Sequence, residues 1–245
     1  CAIELFGIVH AKAEKYVSNA NVKRWERQKR RNAALLEEME AVNQDGYTAT
    51  LAALAEKSTA NPTIRRGELM ARARGFEEIA RGLGHVALFI TVTCPSRMHA
   101  KRAIYRKGSS LKVRNNPAYD GTTPREGQKH LCKAWARFRA HLQRKGVKTY
   151  GFRIAEPHQD GAPHWHLLLF MAPGTEKAVR DAITRYFLNQ HDADEPGAQK
   201  NRVKFVTIKM DEAHSATGYI LKYVAKNIDG YKVQQDLFGD DAIAG

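Results

Sequence analysis

The chain has 245 residues, 43% of them hydrophobic and 27% charged, which supplies a core for one large domain with a helical extension and excludes disorder over most of its length. No apolar run approaches the roughly 20 residues of a membrane span, and the first ten residues have neither a basic start nor a long apolar stretch, so no secretory signal is expected. The formal charge is +14 and sits in one place: residues 1–93 hold 14 basic and 11 acidic residues, 156–245 hold 10 and 13, but 94–155 hold 16 basic residues against only Asp120 and Glu126.

A quarter of the chain thus carries the whole positive excess, which points to nucleic acid or another phosphate polymer as partner and to binding that weakens steeply with salt. Cys1, Cys94 and Cys132 form no CxxC pair, so neither a disulfide scaffold nor a structural zinc site is expected, and the compartment reads as reducing. The missing initiator Met and the abrupt end at Gly245 are expected of a piece of a longer protein.

In chain order, residues 3–43 are rich in Ala, Glu, Lys and Arg and read as helix, closed by turn chemistry at Asn43–Gly46. The basic cluster Lys23–Arg31 within it offers a contact to DNA, but a solvated face is the better reading. Asn61-Pro62-Thr63 opens a second helix through about Ala80, and Arg81–Gly84 breaks it. Val86–Thr93 is a β-branched and aromatic run, the pattern of a buried strand. Residues 95–123 read as a long basic loop, of a length that usually signals function. Pro124–Lys145 is a helix with an apolar stripe of Leu131, Trp135, Phe138 and Leu142, and with Lys129, Lys133 and Arg137 aligned on another face. Strands follow at Lys148–Glu156 and His164–Met171, a helix at Glu176–Asn189, a fourth strand at Arg202–Met210 and a last helix from about Glu212 to Asn227. The order β-α-β-β-α-β predicts an α+β fold with a ferredoxin-like (split βαβ) antiparallel sheet, first and third strands central. Residues 1–83 then form a helical region, 84–230 the main domain with one extra C-terminal helix, and 231–245 a tail leading to a further C-terminal part.

The densest chemistry lies between Glu156 and Phe170. His164 and His166 stand two apart on a strand, so both face one side. Asp160-Gly161 supplies a hairpin turn, and if paired residues sum to 320, Glu156 lies opposite His164. Two imidazoles and a carboxylate with open positions suit a divalent ion, Mg²⁺ or Mn²⁺, in Lewis-acid work. His158 is a second candidate ligand, read as a turn residue. In the last helix Tyr219 and Tyr223 share a face one turn apart, and Lys222 and Lys226 repeat that spacing on a neighbouring edge. Paired phenols beside ammonium groups suit attack on a phosphodiester, because a phenol of pKa about 10 needs its oxyanion stabilised.

Three blocks, from Phe89 to His99, from Glu156 to Phe170 and from Tyr219 to Lys226, together resemble the HUH endonucleases, named for His-hydrophobe-His. More closely, the chain resembles the phage replication gene A proteins. That resemblance implies a nickase and strand-transferase that starts rolling-circle replication: one tyrosine attacks the origin strand, leaving a 5′-phosphotyrosine and a free 3′-OH, and the second permits a further cleavage while the first link persists. His164 and His166 match the family's metal ligands and Glu156 the third. Thr91 and Thr93 fall on the sheet floor, and Lys226 matches a residue that positions phosphate or protonates the leaving group. The substrate implied is single-stranded origin DNA in the cytoplasm of a bacterial host. Its backbone would be tracked by Arg97, Lys101, Arg102, Arg106, Lys107, Lys112, Arg114, Lys129, Lys133, Arg137 and Lys222, with Tyr105, Tyr119 and Trp135 available for stacking on bases, although Trp135 fits a core position better. No GxxxxGK[ST] loop occurs, so unwinding is expected from a partner helicase. A transposase would share the same motifs. A non-catalytic ferredoxin-like binding module is the other alternative, against which Val86–Thr93 lacks the exposed aromatics of an RNA-binding sheet.

Overall fold

The computed structural model describes residues 8–104, 112–190, 192–195, 197–208 and 215–228. Buried Ser18 accepts a hydrogen bond from the Asn21 amide at 3.4 Å and opens α1 (Asn19–Glu38), none of whose residues is buried. The single helix expected over 3–43 is corrected on both sides: residues 3–7 lie outside the described residues, 8–18 are not helical, and after Glu38 the chain enters a small hairpin, β1 (Glu40–Val42) against β2 (Thr48–Thr50). The expected turn chemistry is present but closes that hairpin. Asn43 Oδ1 accepts from the amides of Asp45 and Tyr47, both at 2.9 Å, and Gly46 takes φ +80°. A side chain that satisfies two amides locally outcompetes the helix that composition favours.

A short helix, α2 (Leu51–Glu56), leads to α3 (Pro62–Gly82). Asn61 caps α3 by accepting from the Thr63 amide at 2.9 Å, with Pro62 in the first turn where its missing N–H costs nothing. Gly84, at φ +63°, turns the chain into the sheet.

The sheet holds four strands: β3 (Val86–Thr93), β6 (Thr149–Pro157), β7 (Pro163–Met171) and β8 (Val203–Ile208), in the order β6-β7-β3-β8, with all neighbours antiparallel. The first and third of these strands are central. Between β3 and the next helix, the loop expected over 95–123 is corrected to contain a separate hairpin, β4 (Lys101–Ile104) with β5 (Lys112–Asn115). Its strands offer only Ala103, Ile104 and Val113 as apolar residues, so no hydrophobic alternation announces them.

Helix α4 (Pro124–Arg144) begins at a capping box in which Thr123 and Glu126 satisfy each other's amides. It buries Leu131, Ala134, Phe138 and Leu142, joined by Val179, Ala182 and Ile183 of α5 (Glu176–Thr184), against the sheet face that carries Leu88, Ile90, Trp165, Leu167 and Leu169. Helix α5 continues as a wider turn over Arg185–Asn189 that buries Tyr186, Phe187 and Leu188. A single turn, α6 (Ala198–Asn201), leads into β8.

The other face carries Ala87, Phe89, Leu168 and Phe170 and is covered by α3 and the last helix, α7 (Ala216–Ile228). Alternation along β7 therefore sends Trp165 into the first layer and the histidines on either side of it into the second. Among the described residues the architecture is α+β, with antiparallel sheets and flanking helices, and no helix is long and apolar enough to cross a membrane. Cys94 and Cys132 are both free.

Gly151 in β6 tests how tightly this sheet is closed. It lies at φ +141°, and a Cβ there would stand 1.9 Å from the Leu168 carbonyl oxygen. Gly151→Ala is expected to destabilise the fold by about 3 kcal/mol or more, through clash and backbone strain together. Urea unfolding of wild type and variant measures it, and a loss below about 1 kcal/mol contradicts the packing described.

Candidate metal and tyrosine site

The β6–β7 hairpin turns through Asp160-Gly161, where Gly161 takes φ +82° and the His158 amide reaches the Ala162 carbonyl at 2.7 Å. The resulting register sets Glu156 opposite His164, as the sum of 320 requires, and β3 sets Thr93 opposite His164 and Thr91 opposite His166. All these side chains emerge on the face shared with α7.

The three ligand-type groups converge. His164 Nε2 and His166 Nε2 are 3.0 Å apart, and Glu156 Oε2 lies 3.1 Å from the second and 3.6 Å from the first. Donor atoms sharing one cation at about 2.1 Å in octahedral geometry are about 3 Å from one another. The donor set and its spacing thus fit a divalent ion held by two imidazoles and a carboxylate. Thr91 Oγ1 lies 3.1 Å from His166 Nδ1, which fixes the ring so that Nε2 faces the carboxylate.

Above this triad lies α7. The Tyr223 ring stacks on His166 with centroids 3.9 Å apart, and Phe89 makes a floor in contact with His166, Tyr219 and Tyr223 at 5.5, 5.8 and 5.6 Å. Tyr219, one turn earlier, remains 41% exposed. Both phenols therefore stand on the sheet face of the triad, one over it and one at its rim.

Beyond the triad a cavity of 640 Å³ opens along the same face, lined among others by Thr91, Thr93, His164, Lys101, Arg202 and Lys204. Sequence reasoning missed Lys204. It pairs with Thr91 across β3 and β8, so it shares the face of His166 and points a cation along the groove. Its signal was its place in the fourth strand, legible only once the register with β3 is known. Phe89 opens the first of the three blocks but has no role assigned from the sequence; its contacts with His166 and both tyrosines exist only in the fold.

The basic residues singled out from the sequence divide. Lys101 lines the groove, with Nζ 2.6 Å from Asn115 Oδ1. Arg102 and Arg114 face each other across the small hairpin, exposed, with Lys112 beside them. Arg97 is engaged elsewhere: its guanidinium pairs with Asp120 and, at 2.9 Å, with Asp192, tying the basic segment to the stretch after α5. Lys129, Lys133 and Arg137 form an exposed row on α4, but α4 covers the opposite face of the sheet, so they are not brought to the triad. Tyr105, Arg106 and Lys107 lie outside the described residues, as do the side chains of Lys222 and Lys226. Tyr119 donates its hydroxyl to the Thr122 carbonyl at 3.0 Å, and Trp135 packs against Phe138 with centroids 5.1 Å apart.

A second group of ionisable side chains adjoins the triad. The His158 ring packs tilted against His164 with centroids 4.1 Å apart and meets His99 edge-on at 5.2 Å, while His99 Nδ1 lies 2.9 Å from Asp160 Oδ2. His158 Nε2 and His164 Nδ1 are buried nitrogens with no hydrogen-bond partner among the described residues. Burial, and then the neighbouring His164 and His99, hold His158 well below the ordinary imidazole range. Burial pushes the Asp160 carboxyl up, but the His99 hydrogen bond and charge outweigh it and keep it below the usual carboxylate range.

The family model for the bacteriophage replication gene A protein (GPA) matches residues 2–231. The chain is 40% identical over 227 residues to the replication gene A protein of Escherichia phage 186, a match covering 92% of this chain and 31% of that one. It is 38% identical to the replication protein of Haemophilus phage HP1 (96% and 29% covered) and 36% identical to a probable replication endonuclease from a prophage-like region of Salmonella paratyphi A (94% and 28% covered). The chain thus spans about a third of the length of these relatives. No solved structure matches it.

The buried imidazole makes stability depend on pH with a definite sign. His158 holds its proton less well folded than unfolded, so its contribution is complete above the ordinary value of 6.5 and is lost as pH falls below it. His158→Gln is expected to flatten the decline of unfolding free energy between pH 6.5 and 4, read from urea titrations at each pH. A slope equal to that of wild type contradicts the assignment.

Proposed function

The chain belongs to the bacteriophage replication gene A family, and on that premise we propose that it is a site-specific single-strand DNA endonuclease and strand-transferase that initiates rolling-circle replication. The observation that carries this reading is the tyrosine helix laid over a two-histidine, one-carboxylate triad, with Tyr223 stacked on His166 and Tyr219 one turn away. The naming of a relative as a probable replication endonuclease supports it. So does the strand order, which we read as the ferredoxin-like, split βαβ arrangement of the HUH enzymes.

His164, His166 and Glu156 would hold Mg²⁺ or Mn²⁺, which when bound supplies Lewis-acid polarisation of the scissile phosphate and stabilises a phenolate. The remaining work falls to side chains of this chain. Thr91 keeps His166 in the tautomer that presents Nε2. Lys101 and Lys204 line the groove as cations for the flanking phosphates. Tyr219 or Tyr223 forms an O–P bond at the scissile phosphate as the P–O3′ bond breaks. The phenol loses its proton, the departing 3′ oxygen takes one up, and Lys226 is the proposed donor. No water enters the balance, so the energy of the broken ester is kept in the 5′-phosphotyrosine, and reversal by a 3′-OH rejoins strands. Residues 84–230 would form the endonuclease domain, acting in the cytoplasm of a bacterial host on single-stranded origin DNA opened by a partner helicase.

Oligonucleotides spanning the origin, labelled at the 5′ or the 3′ end and incubated with Mn²⁺, test the reading on a denaturing protein gel. A covalent band carrying only the 3′-side fragment is expected, abolished by EDTA and by the Tyr219→Phe/Tyr223→Phe double substitution, and reduced at least about 100-fold by His166→Ala. Salt-sensitive binding without any adduct would leave a non-catalytic binding module.

A further inference from the structure

The buried stripe of α3 is Ala73, Glu77 and Ala80, at helical spacing, and the alanines are fully buried against α7. Small residues let the two helices approach closely, and one carboxylate is buried between them, 7% exposed. It serves the start of the other helix. Glu77 Oε2 accepts from the Thr217 amide at 2.9 Å, the Thr217 hydroxyl at 2.7 Å and the Ser215 hydroxyl at 2.8 Å. Its other oxygen accepts from Arg81 Nη2 at 2.8 Å and Nε at 3.3 Å.

We propose that Glu77 is a positioning residue for the tyrosine pair: an N-cap supplied from a helix about 140 residues earlier, which fixes where α7 begins and so where Tyr219 and Tyr223 stand over the triad. An α-helix leaves its first amides without intrahelical partners, and they are normally satisfied by a residue of the same chain segment. Here Ser215 contributes a weak contact of its own, from the Gly218 amide at 3.4 Å, and the short, strong bonds go to Glu77. A negative charge at that end also complements the helix dipole. Burial pushes the Glu77 carboxyl up, but the donors from Thr217, Arg81 and Ser215 outweigh it and hold it at about 2, so it stays ionised wherever the protein works. Tyr219 follows Thr217 by two residues, so the anchor and the first phenol share one helical turn. The N-terminal helical region thereby becomes part of the catalytic apparatus.

The consequence for nicking rests on the reading given under Proposed function, so the test has two independent readouts on the whole chain. Glu77→Ala removes the anchor, Glu77→Gln keeps its length and one acceptor oxygen, and Thr217→Val removes one donor. The first readout is 19F NMR of protein carrying 3-fluorotyrosine, with Tyr219 and Tyr223 assigned by Tyr→Phe substitution and Tyr186, on the opposite sheet face, as reference. In Glu77→Ala the Tyr219 and Tyr223 lines are expected to shift and broaden while Tyr186 stays put, with Glu77→Gln and Thr217→Val intermediate. The second is adduct formation: the rate falls about 10- to 100-fold in Glu77→Ala at unchanged affinity for uncut oligonucleotide, and the share of adduct on Tyr219 against Tyr223 changes. Unmoved tyrosine lines, or loss of the Tyr186 line along with them, overturn the assignment, since they mean no role or a merely general one. If wild type forms no adduct, the nickase reading fails by itself and the 19F lines still decide on Glu77.

Discussion

The site depends on the pairing register of one hairpin. With Glu156 opposite His164 on antiparallel neighbours, a carboxylate and two imidazoles fall on one face with their heads within hydrogen-bond range. Slipping β6 by one residue would turn Glu156 to the other face, where Trp165 and Leu167 pack, and bury an unpaired charge among apolar side chains. Core and site therefore enforce the same register. Trp165, fully buried and donating its indole N–H to Gln128 at 2.9 Å, pins the strand on one side while the histidines flanking it are presented on the other.

The second face is divided along its length. Toward one end, Ala87, Phe170 and Ile220 make an ordinary apolar layer; toward the other, Thr91, Thr93, Glu156 and the histidines make a polar one. Phe89 sits at the boundary and touches His166 and both tyrosines. A ring at that point excludes water from beneath the phenols, and a drier site strengthens every charge interaction made there. The groove beyond, with Lys101 and Lys204, is where the polar end meets solvent.

Much of the sheet and triad was legible because both rest on local rules. Asp160-Gly161 announces a turn, a turn fixes register, and period two then places His164, His166 and Glu156. The bounds Val86–Thr93 are legible because the segment is one uninterrupted run of aliphatic, aromatic and β-branched residues between His85 and Cys94. What failed to read was tertiary. Lys129, Lys133 and Arg137 do line up on α4, but helical spacing cannot say which side of a sheet a helix will cover. Charge made 94–155 look like a single phosphate-binding surface, whereas Arg97 spends its charge on Asp120 and Asp192. In the N-terminal region, composition favours a helix through the stretch where Asn43 instead closes a hairpin with its side chain. Glu77 was illegible for a plainer reason: its partners at Ser215 and Thr217 are near it only in the folded chain.

The two halves of the site are held by bonds of different kinds, and the difference bears on how they can work together. The metal-type ligands ride on central and edge strands whose backbones are locked by a continuous ladder, so their relative positions are set to within the tolerance of the sheet. The tyrosines ride on a helix of 13 residues that touches the sheet through side chains and is tied to α3 at its first turn. Anchoring at one end leaves that end the better defined. Tyr219, a half-turn from the anchor, is placed by the Glu77 cap together with the Phe89 ring beneath it, and Tyr223, a turn further on, by its stack on His166. Two phenols with separate means of placement could take successive roles at one triad without the helix leaving its seat, which is what the proposed two-tyrosine strand transfer would require.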